Sequence, residues 1–257
     1  MKKSSRRTFL KITGLSLMGW GAKPVLEVLA RNESSKILKP PEALKAKRWA
    51  MVINSRRCPH GCTDCIQACH NIHNVPDFGN EKDEIKWIWN ERFGDAFPGQ
   101  EHPYIQAGVK ERPVLVLCNH CENPPCVRVC PTQATFKRAE DGIVMMDYHR
   151  CIGCRFCIAG CPYGARSMNY RDPRPFIKKI NPAFPTRTKG VVEKCNFCVE
   201  RLAAGLLPAC VVACKEKALV FGDLGNSDSD VRKLLQAHFT IRRRPELGTQ
   251  PQVYYIV

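Results

Sequence analysis

Apolar residues along this chain fall in short runs broken by charge, proline or cysteine. The first run, residues 12–22, is modest and is interrupted by Lys23 and Pro24. No later stretch reaches the roughly 18 apolar residues of a membrane span, so the pattern predicts no transmembrane segment. Asp141-Gly142 precedes the apolar run 143–146, which predicts a hairpin turn between two short strands. Pro131 and Pro162 each follow a cysteine directly and predict short helical turns that stop there. Residues 71–112 mix aromatics (Trp87, Trp89, Phe93, Phe97) with charge, and residues 171–190 carry four prolines. Both read as insertions, with docking surfaces as one use for them. Beyond Phe221 the chain turns polar, through Gly225-Asn226-Ser227-Asp228 to the basic Arg242-Arg243-Arg244, which predicts a peripheral arm over 223–257.

Composition changes this picture at the cysteines. The chain has 257 residues, enough to bury a core in one or two domains, and 16 of them are cysteine. They fall into four groups of four with none left over. Group one is Cys58-x3-Cys62-x2-Cys65-x3-Cys69. Group two is Cys118-x2-Cys121-x4-Cys126-x3-Cys130, and group three is Cys151-x2-Cys154-x2-Cys157-x3-Cys161. Group four is Cys195-x2-Cys198-x11-Cys210-x3-Cys214. One chemical unit is thus repeated four times with unequal spacers.

Several chemistries compete for these groups. Disulfides would satisfy the even count, but Cys-x2-Cys within a tight loop is poor bridge geometry and good multidentate metal geometry. Structural zinc favours Cys-x2-Cys pairs drawn from two separate knuckles, and rarely three cysteines at x2 spacing followed by x3-Cys-Pro. Cys151 to Pro162 is instead the run that bacterial ferredoxins use for a cubane [4Fe–4S] cluster. Haem attachment at Cys65, Cys69 and His70 has the wrong spacing and would strand Cys58 and Cys62. His70 therefore reads as a polar residue near a cluster, bonded to a sulfide or to backbone. His60, His73, His120 and His149 read as ordinary polar residues rather than ligands. Nothing in the chain resembles a catalytic triad, a phosphate loop or a dinucleotide fingerprint, so no catalytic residues are expected.

The formal charge of +16 suggests nucleic acid or an anionic surface until the clusters are counted. Four cubanes, each about −2 with its thiolates, would bring the chain to about +8. Residues 1–30 hold six Lys or Arg and one Glu. Their removal would leave about +3, which weakens the nucleic-acid reading. Those residues form a targeting segment, in which Ser5-Arg6-Arg7-Thr8-Phe9-Leu10-Lys11 resembles a twin-arginine export signal. Export by that route carries proteins already folded, as a chain loaded with clusters must be.

Longer motifs carry a family resemblance over residues 48–222. They are Arg112-Pro113 leading to Cys118-Asn119-His120-Cys121-Glu122-Asn123-Pro124-Pro125-Cys126, then Asp147-Tyr148-His149-Arg150-Cys151, and Cys161-Pro162-Tyr163-Gly164-Ala165-Arg166. Glu193-Lys194-Cys195-Asn196-Phe197-Cys198, with Gly205 and Pro208-Ala209-Cys210, completes the set. These resemble the four-cluster ferredoxin subunits of respiratory membrane complexes. The resemblance implies an α+β fold of two tandem ferredoxin-like subdomains with pseudo-twofold symmetry. Residues 48–70 and 191–222 would form one half and residues 113–170 the other.

It also implies crosswise ligation of four [4Fe–4S] clusters. Cluster A would use Cys58, Cys62, Cys65 and Cys214; cluster B would use Cys69, Cys195, Cys198 and Cys210. Cluster C would use Cys118, Cys121, Cys126 and Cys161; cluster D would use Cys130, Cys151, Cys154 and Cys157. The function implied is electron transfer between a quinone-interacting integral membrane subunit of the NrfD type and a periplasmic multihaem cytochrome c or molybdopterin subunit. Within the family, the export segment, compact length and Cys-x3-Cys opening most resemble the DsrO-type subunits of sulfur-metabolising complexes, periplasmic and peripherally attached to the membrane. The rivals are the iron–sulfur subunit of an exported molybdopterin oxidoreductase (tetrathionate, polysulfide, nitrite or dimethyl-sulfoxide type) and, more remotely, a structural zinc protein. Two departures stand out: the x3 gap opening group one, and His70 and Lys215 where proline follows the last cysteine elsewhere.

Overall fold

The computed structural model describes residues 43–257, so the export segment lies outside the described residues. In chain order the strands are β1 (Trp49–Asn54), β2 (Ile88–Arg92), β3 (Pro113–Leu117), β4 (Thr135–Lys137), β5 (Val144–Met146), β6 (Ser167–Met168), β7 (Val192–Glu193), β8 (Leu219–Asp223) and β9 (Val253–Ile256). The helices that matter for the site are α1 (Asp64–Ile72), α2 (Pro125–Arg128), α3 (Phe156–Ala159), α4 (Val199–Ala203), α5 (Ala209–Ala213) and α6 (Asp230–Ala237). The result is a mixed α and β structure with small sheets.

The largest sheet is β8-β1-β9. Its central strand, Trp-Ala-Met-Val-Ile-Asn, is apolar at every position but the last, as a strand covered on both faces must be. Trp49, Met51 and Ile53 point into the main core beside Cys65 and Cys69. Ala50 and Val52 point the other way, against Val231 of α6 and Ile256. Ser229 caps α6 by accepting from the Arg232 backbone N–H at 3.3 Å. Antiparallel pairing of β1 with β8, Met51 opposite Phe221, joins the chain before group one to the chain after group four. The stack of Trp49 on Phe221, at 4.8 Å between centroids, reinforces that join, and such pairs contribute about 1 kcal/mol beyond their burial. Helix α1 lies against α5.

Groups two and three are brought together the same way. Strands β4 and β5 pair antiparallel, Thr135 opposite Met146, with the expected hairpin at residues 138–143. Gly142 there has φ +74, and a Cβ at this position would overlap the Arg48 guanidinium. Arg48 uses that space to donate to Gly142 O at 2.9 Å and His120 O at 3.0 Å, tying the entry to β1 to the loop of group two. Helix α2 lies against α3, and β6 pairs with β7, which connects the end of group three to the start of group four.

Two expectations change. Residues 223–257 are not peripheral: β9 joins the sheet parallel to β1, Val52 opposite Tyr254, with Val253 and Tyr255 fully buried. Before that strand, Arg243 of the basic run is buried and donates to Ala96 O at 3.2 Å. The backbone N–H groups of Glu122 and Asn123 then donate to Gln250 O and Thr249 O, so the segment closes over group two. It is drawn in because β1 offers an unpaired edge whose apolar face continues into Val253 and Tyr255.

The aromatics of the 71–112 insertion are also not a displayed surface. Trp87, Trp89 and Phe97 are buried, and Phe93 packs against the core. The two insertions bury each other: the Asn74 side-chain amide donates to Asn181 O and Phe184 O. Arg187 lies over the rings of Trp87 and Phe184 and pairs with Glu193 at 2.5 Å, both side chains fully enclosed. Trp87 Nε1 donates to the same carboxylate at 2.9 Å.

Candidate metal centres

All sixteen cysteines lie among the described residues and are free thiols, half-buried or buried. A common turn presents them. In every group the residue just before the second cysteine sits in the left-handed region: Gly61 at φ +75, His120 at +41, Gly153 at +67 and Phe197 at +56. That conformation folds successive N–H groups toward one side of the chain and makes an anion-binding concavity. For His120 and Phe197 it costs about 1–2 kcal/mol, which the surrounding packing must hold. Group one keeps the same turn despite its longer gap, because the extra residue is accommodated ahead of Gly61 and Cys62 N donates back to Pro59 O. The x3 departure is therefore local.

A second shared device is the four-residue step from the third to the fourth cysteine. Cys65 and Cys69 lie on one face of α1, both buried. Cys126 and Cys130 take the same spacing along and just beyond α2, Cys157 and Cys161 along α3, and Cys210 and Cys214 along α5. Each such pair is held side by side, so two thiol sets that share a step must be neighbours. Backbone N–H groups also reach sulfur: Phe197 N to Cys195 Sγ at 3.4 Å, Ala209 N to Cys198 Sγ at 3.5 Å and Ala218 N to Cys214 Sγ at 3.2 Å.

Mutual electrostatics shows which thiols are brought together. Burial, then Cys58, Cys214 and Cys62, pushes Cys65 up to about 12. Burial, then Cys62 and Cys214, likewise raises Cys58. Cys69 is raised by burial and then by Cys195, Cys198 and Cys210. Cys121 is pushed up to about 12 by burial and Cys118, with smaller effects from Cys126 and Cys161, while the Thr249 hydroxyl opposes them. Cys161 is raised by burial and by Cys118 and Cys126. In the remaining set, burial raises Cys157 against the pull of Arg166, with Cys126 and Cys151 as the thiol neighbours. Cys130 stands apart at the rim: burial raises it, but the N–H groups of Thr135, Thr132 and Ala134 and the Thr132 hydroxyl hold it below the usual thiol value.

These sets fit iron–sulfur clusters. Cys118, Cys121, Cys126 and Cys161 all line one small cavity of about 20 Å³, bordered by Pro124, Pro162 and Tyr163. Four soft donors repelling one another in a buried apolar space need a cationic core to be anionic there. No such need arises at the other compact donor group, His73, Cys198 and Glu200. There the imidazole is already engaged, with Nε2 at 2.8 Å from Glu200 Oε1 and Nδ1 at 2.9 Å from Cys69 O.

His70 has the backbone partner that was one of its two expected roles, and His73 is the histidine that lies near sulfur. The His70 ring is drawn down by burial and has a backbone partner at Ile88, while its Nε2 is buried with no partner. His73 is the histidine beside sulfur, its Nδ1 3.5 Å from Cys69 Sγ. The sequence signal was present: His73, the residue that caps the C-terminus of α1, is four residues past Cys69, the same step that aligns the cysteines. His120 is enclosed, stacked on Phe197 at 3.7 Å, and its Nδ1 accepts from Val144 N at 3.1 Å. Burial, with Lys194, Arg48 and Arg166 nearby, holds its ring neutral. His60 and His149 are exposed. Also unforeseen are two buried cations, Arg166 and Lys194, among the thiols of groups two to four.

The chain is similar to known iron–sulfur proteins. The 4Fe-4S dicluster domain family matches residues 114–174 and 180–224, which hold groups two to four. The chain is 39% identical over 273 residues to an Hdr-like menaquinol oxidoreductase iron-sulfur subunit 1 of Archaeoglobus fulgidus, covering 98% of this chain and 97% of that one. It is 37% identical to an NrfC homologue of Haemophilus influenzae, covering 100% and 96%. It is 36% identical to the iron-sulfur cluster-binding subunit of a menaquinone reductase of Nitratidesulfovibrio vulgaris, covering 81% and 88%.

Proposed function

Because this chain belongs to the family of iron–sulfur electron-transfer subunits of oxidoreductase complexes, built on the 4Fe-4S dicluster domain, we propose that it is a four-cluster relay between a membrane quinone site and a second redox subunit. Each bound [4Fe–4S] cluster supplies one-electron storage. The protein's part is to hold sixteen thiolates, exclude water from them and fix the order of the sets. Like its relatives, it is an electron-transfer subunit rather than a catalytic one.

The observation that carries the reading is the crosswise neighbourhood of the thiols. Cys65 neighbours both its own set and Cys69 and Cys210. Cys118 is the strongest thiol neighbour of Cys195. Cys126 neighbours both Cys161 and Cys157. Taken as ligand sets, these give A (Cys58, Cys62, Cys65, Cys214), B (Cys69, Cys195, Cys198, Cys210), C (Cys118, Cys121, Cys126, Cys161) and D (Cys130, Cys151, Cys154, Cys157), in that order. Sets A and D are then the outer pair, and each includes half-buried cysteines through which a partner could be reached. The two ferredoxin-like halves follow as A with B and C with D.

For partners, the relatives named for menaquinol and menaquinone favour a quinone-interacting membrane subunit of the NrfD type on one side. Among the described residues no helix is long and apolar enough to cross a membrane, so attachment would be peripheral. Together with the twin-arginine motif, this favours the periplasmic face as the protein's location. The DsrO-type reading, with a multihaem cytochrome c as second partner in sulfur metabolism, is the finer form of the proposal.

The test is iron and sulfide analysis of anaerobically purified protein. About sixteen irons per chain and a brown colour bleached by dithionite are expected; stoichiometric zinc without colour would sink the reading. Co-purification from native membranes then identifies the partner: a cytochrome c supports the finer form, a molybdopterin subunit replaces it.

A further inference from the structure

Two cations are buried among the thiols without a carboxylate to balance them. Arg166 is 4% exposed and Lys194 is 1% exposed. The enclosed Arg187 pairs with Glu193, but neither Arg166 nor Lys194 forms an ion pair with a carboxylate among the described residues. Arg166 Nη2 donates to Cys126 Sγ at 3.1 Å and to Thr135 Oγ1 at 2.7 Å, and Nη1 lies 3.8 Å from Met146 Sδ. Lys194 Nζ donates to Val144 O and to Cys195 O. An unbalanced buried charge is strongly unfavourable, so the anionic partner must be the sulfur sets themselves.

The placement is uneven. The thiols that bear on Arg166 are Cys126, Cys157, Cys118 and Cys161, three of them lining the same small cavity, which Arg166 also lines. Those that bear on Lys194 are Cys118, Cys195 and Cys126, two of them from the same cavity. One set is thus flanked by both cations, its neighbours by one each, and the Cys58 set by neither. The guanidinium that bears on Cys58 is that of Arg112, which already donates to Ser55 O. Adding an electron makes a centre more anionic, and a buried positive charge or an N–H donated to ligand sulfur favours that more anionic state.

We propose that Arg166 and Lys194 are potential-setting residues that make the centre held by Cys118, Cys121, Cys126 and Cys161 the first of the four to accept an electron. An interior member of the relay would then retain an electron, while the outer centres exchange with partners. This inference rests on the four-cluster reading above, and its test separates the two.

The experiment is an EPR-monitored redox titration of anaerobically reconstituted holoprotein, with iron counted in every sample. Wild type should reduce one centre ahead of the rest, and Cys121→Asp should alter that signal and not the others. Arg166→Met should lower the midpoint of that first centre most, with Arg166→Lys in between. Lys194→Gln, whose side chain touches carbonyls and no sulfur, should move the same centre and serves if Arg166→Met loses iron. The signal of the Cys58 set should stay where it is. Unchanged midpoints at full iron content, an equal shift of all four centres, or a shift confined to a centre untouched by Cys121→Asp would overturn the proposal. A wild type with far fewer than sixteen irons would instead remove the four-cluster reading, and this inference with it.

Discussion

At the scale of single residues, the four groups are interchangeable in conformation but not in tolerance. Gly61 and Gly153 occupy equivalent left-handed positions, yet their surroundings differ. A Cβ on Gly61 meets nothing within 4 Å, whereas one on Gly153 would lie 2.4 Å from Gly190 O. Gly61→Ala should therefore cost only the backbone term, about 1 kcal/mol. Gly153→Ala must also displace the loop before β7, so it should cost clearly more and lower the iron content. Thermal midpoints and iron counts on both variants check this, and equal losses would contradict it. Buried charge follows the same logic of surroundings. Arg187→Met leaves the Glu193 carboxylate enclosed and unpaired, which should cost about 3–5 kcal/mol. Adding Glu193→Gln should restore much of that, and a double-mutant cycle in denaturant reads the difference.

At the scale of elements, what was legible in the sequence is what is local. The hairpin at residues 138–143 was readable because Asp141-Gly142 demands its own turn. The cysteine groups were readable because most of their spacings are short and local, the x11 gap of group four apart. The pairing of Val52 with Tyr254 was not, since nothing in a polar tail names its partner strand. The burial of Trp87 was equally hidden: its cover, Phe184 and Arg187, comes from a proline-rich stretch that reads as a loop. Arg166 and Lys194 were visible as motif residues, but their chemistry appears only when three groups converge. The closing segment yields a direct prediction. Tyr255 is fully buried against Phe97, so Tyr255→Ala should cost about 3–5 kcal/mol. Ending the chain at residue 240 should also uncover the Cys121 loop, which Thr249 and Gln250 now close. Faster iron release from the truncated holoprotein on exposure to a chelator is the expected outcome, and an unchanged rate would contradict it.

Across the whole molecule, the clusters are part of the core and of the charge balance at once. Nine of the sixteen cysteines belong to the buried set, and most of them lie within the apolar clusters of the core. Removing iron leaves crowded thiols in an apolar interior, several of them forced toward the neutral form. On the proposed crosswise ligation, the chain then loses both the bonds that span distant groups and the anionic partners proposed for Arg166 and Lys194. It should unfold at lower denaturant than the holoprotein, and with less cooperativity. The same removal changes the net charge in a fixed direction. The formal value is +16 with every cysteine neutral, and four loaded centres would lower it by about 8. Apoprotein should therefore bind a cation exchanger more tightly than holoprotein and elute at higher salt. Oxidised and dithionite-reduced holoprotein should differ in the same sense, since each stored electron subtracts one more charge. If apo and holo forms elute together under native conditions, the sixteen cysteines do not carry four anionic centres.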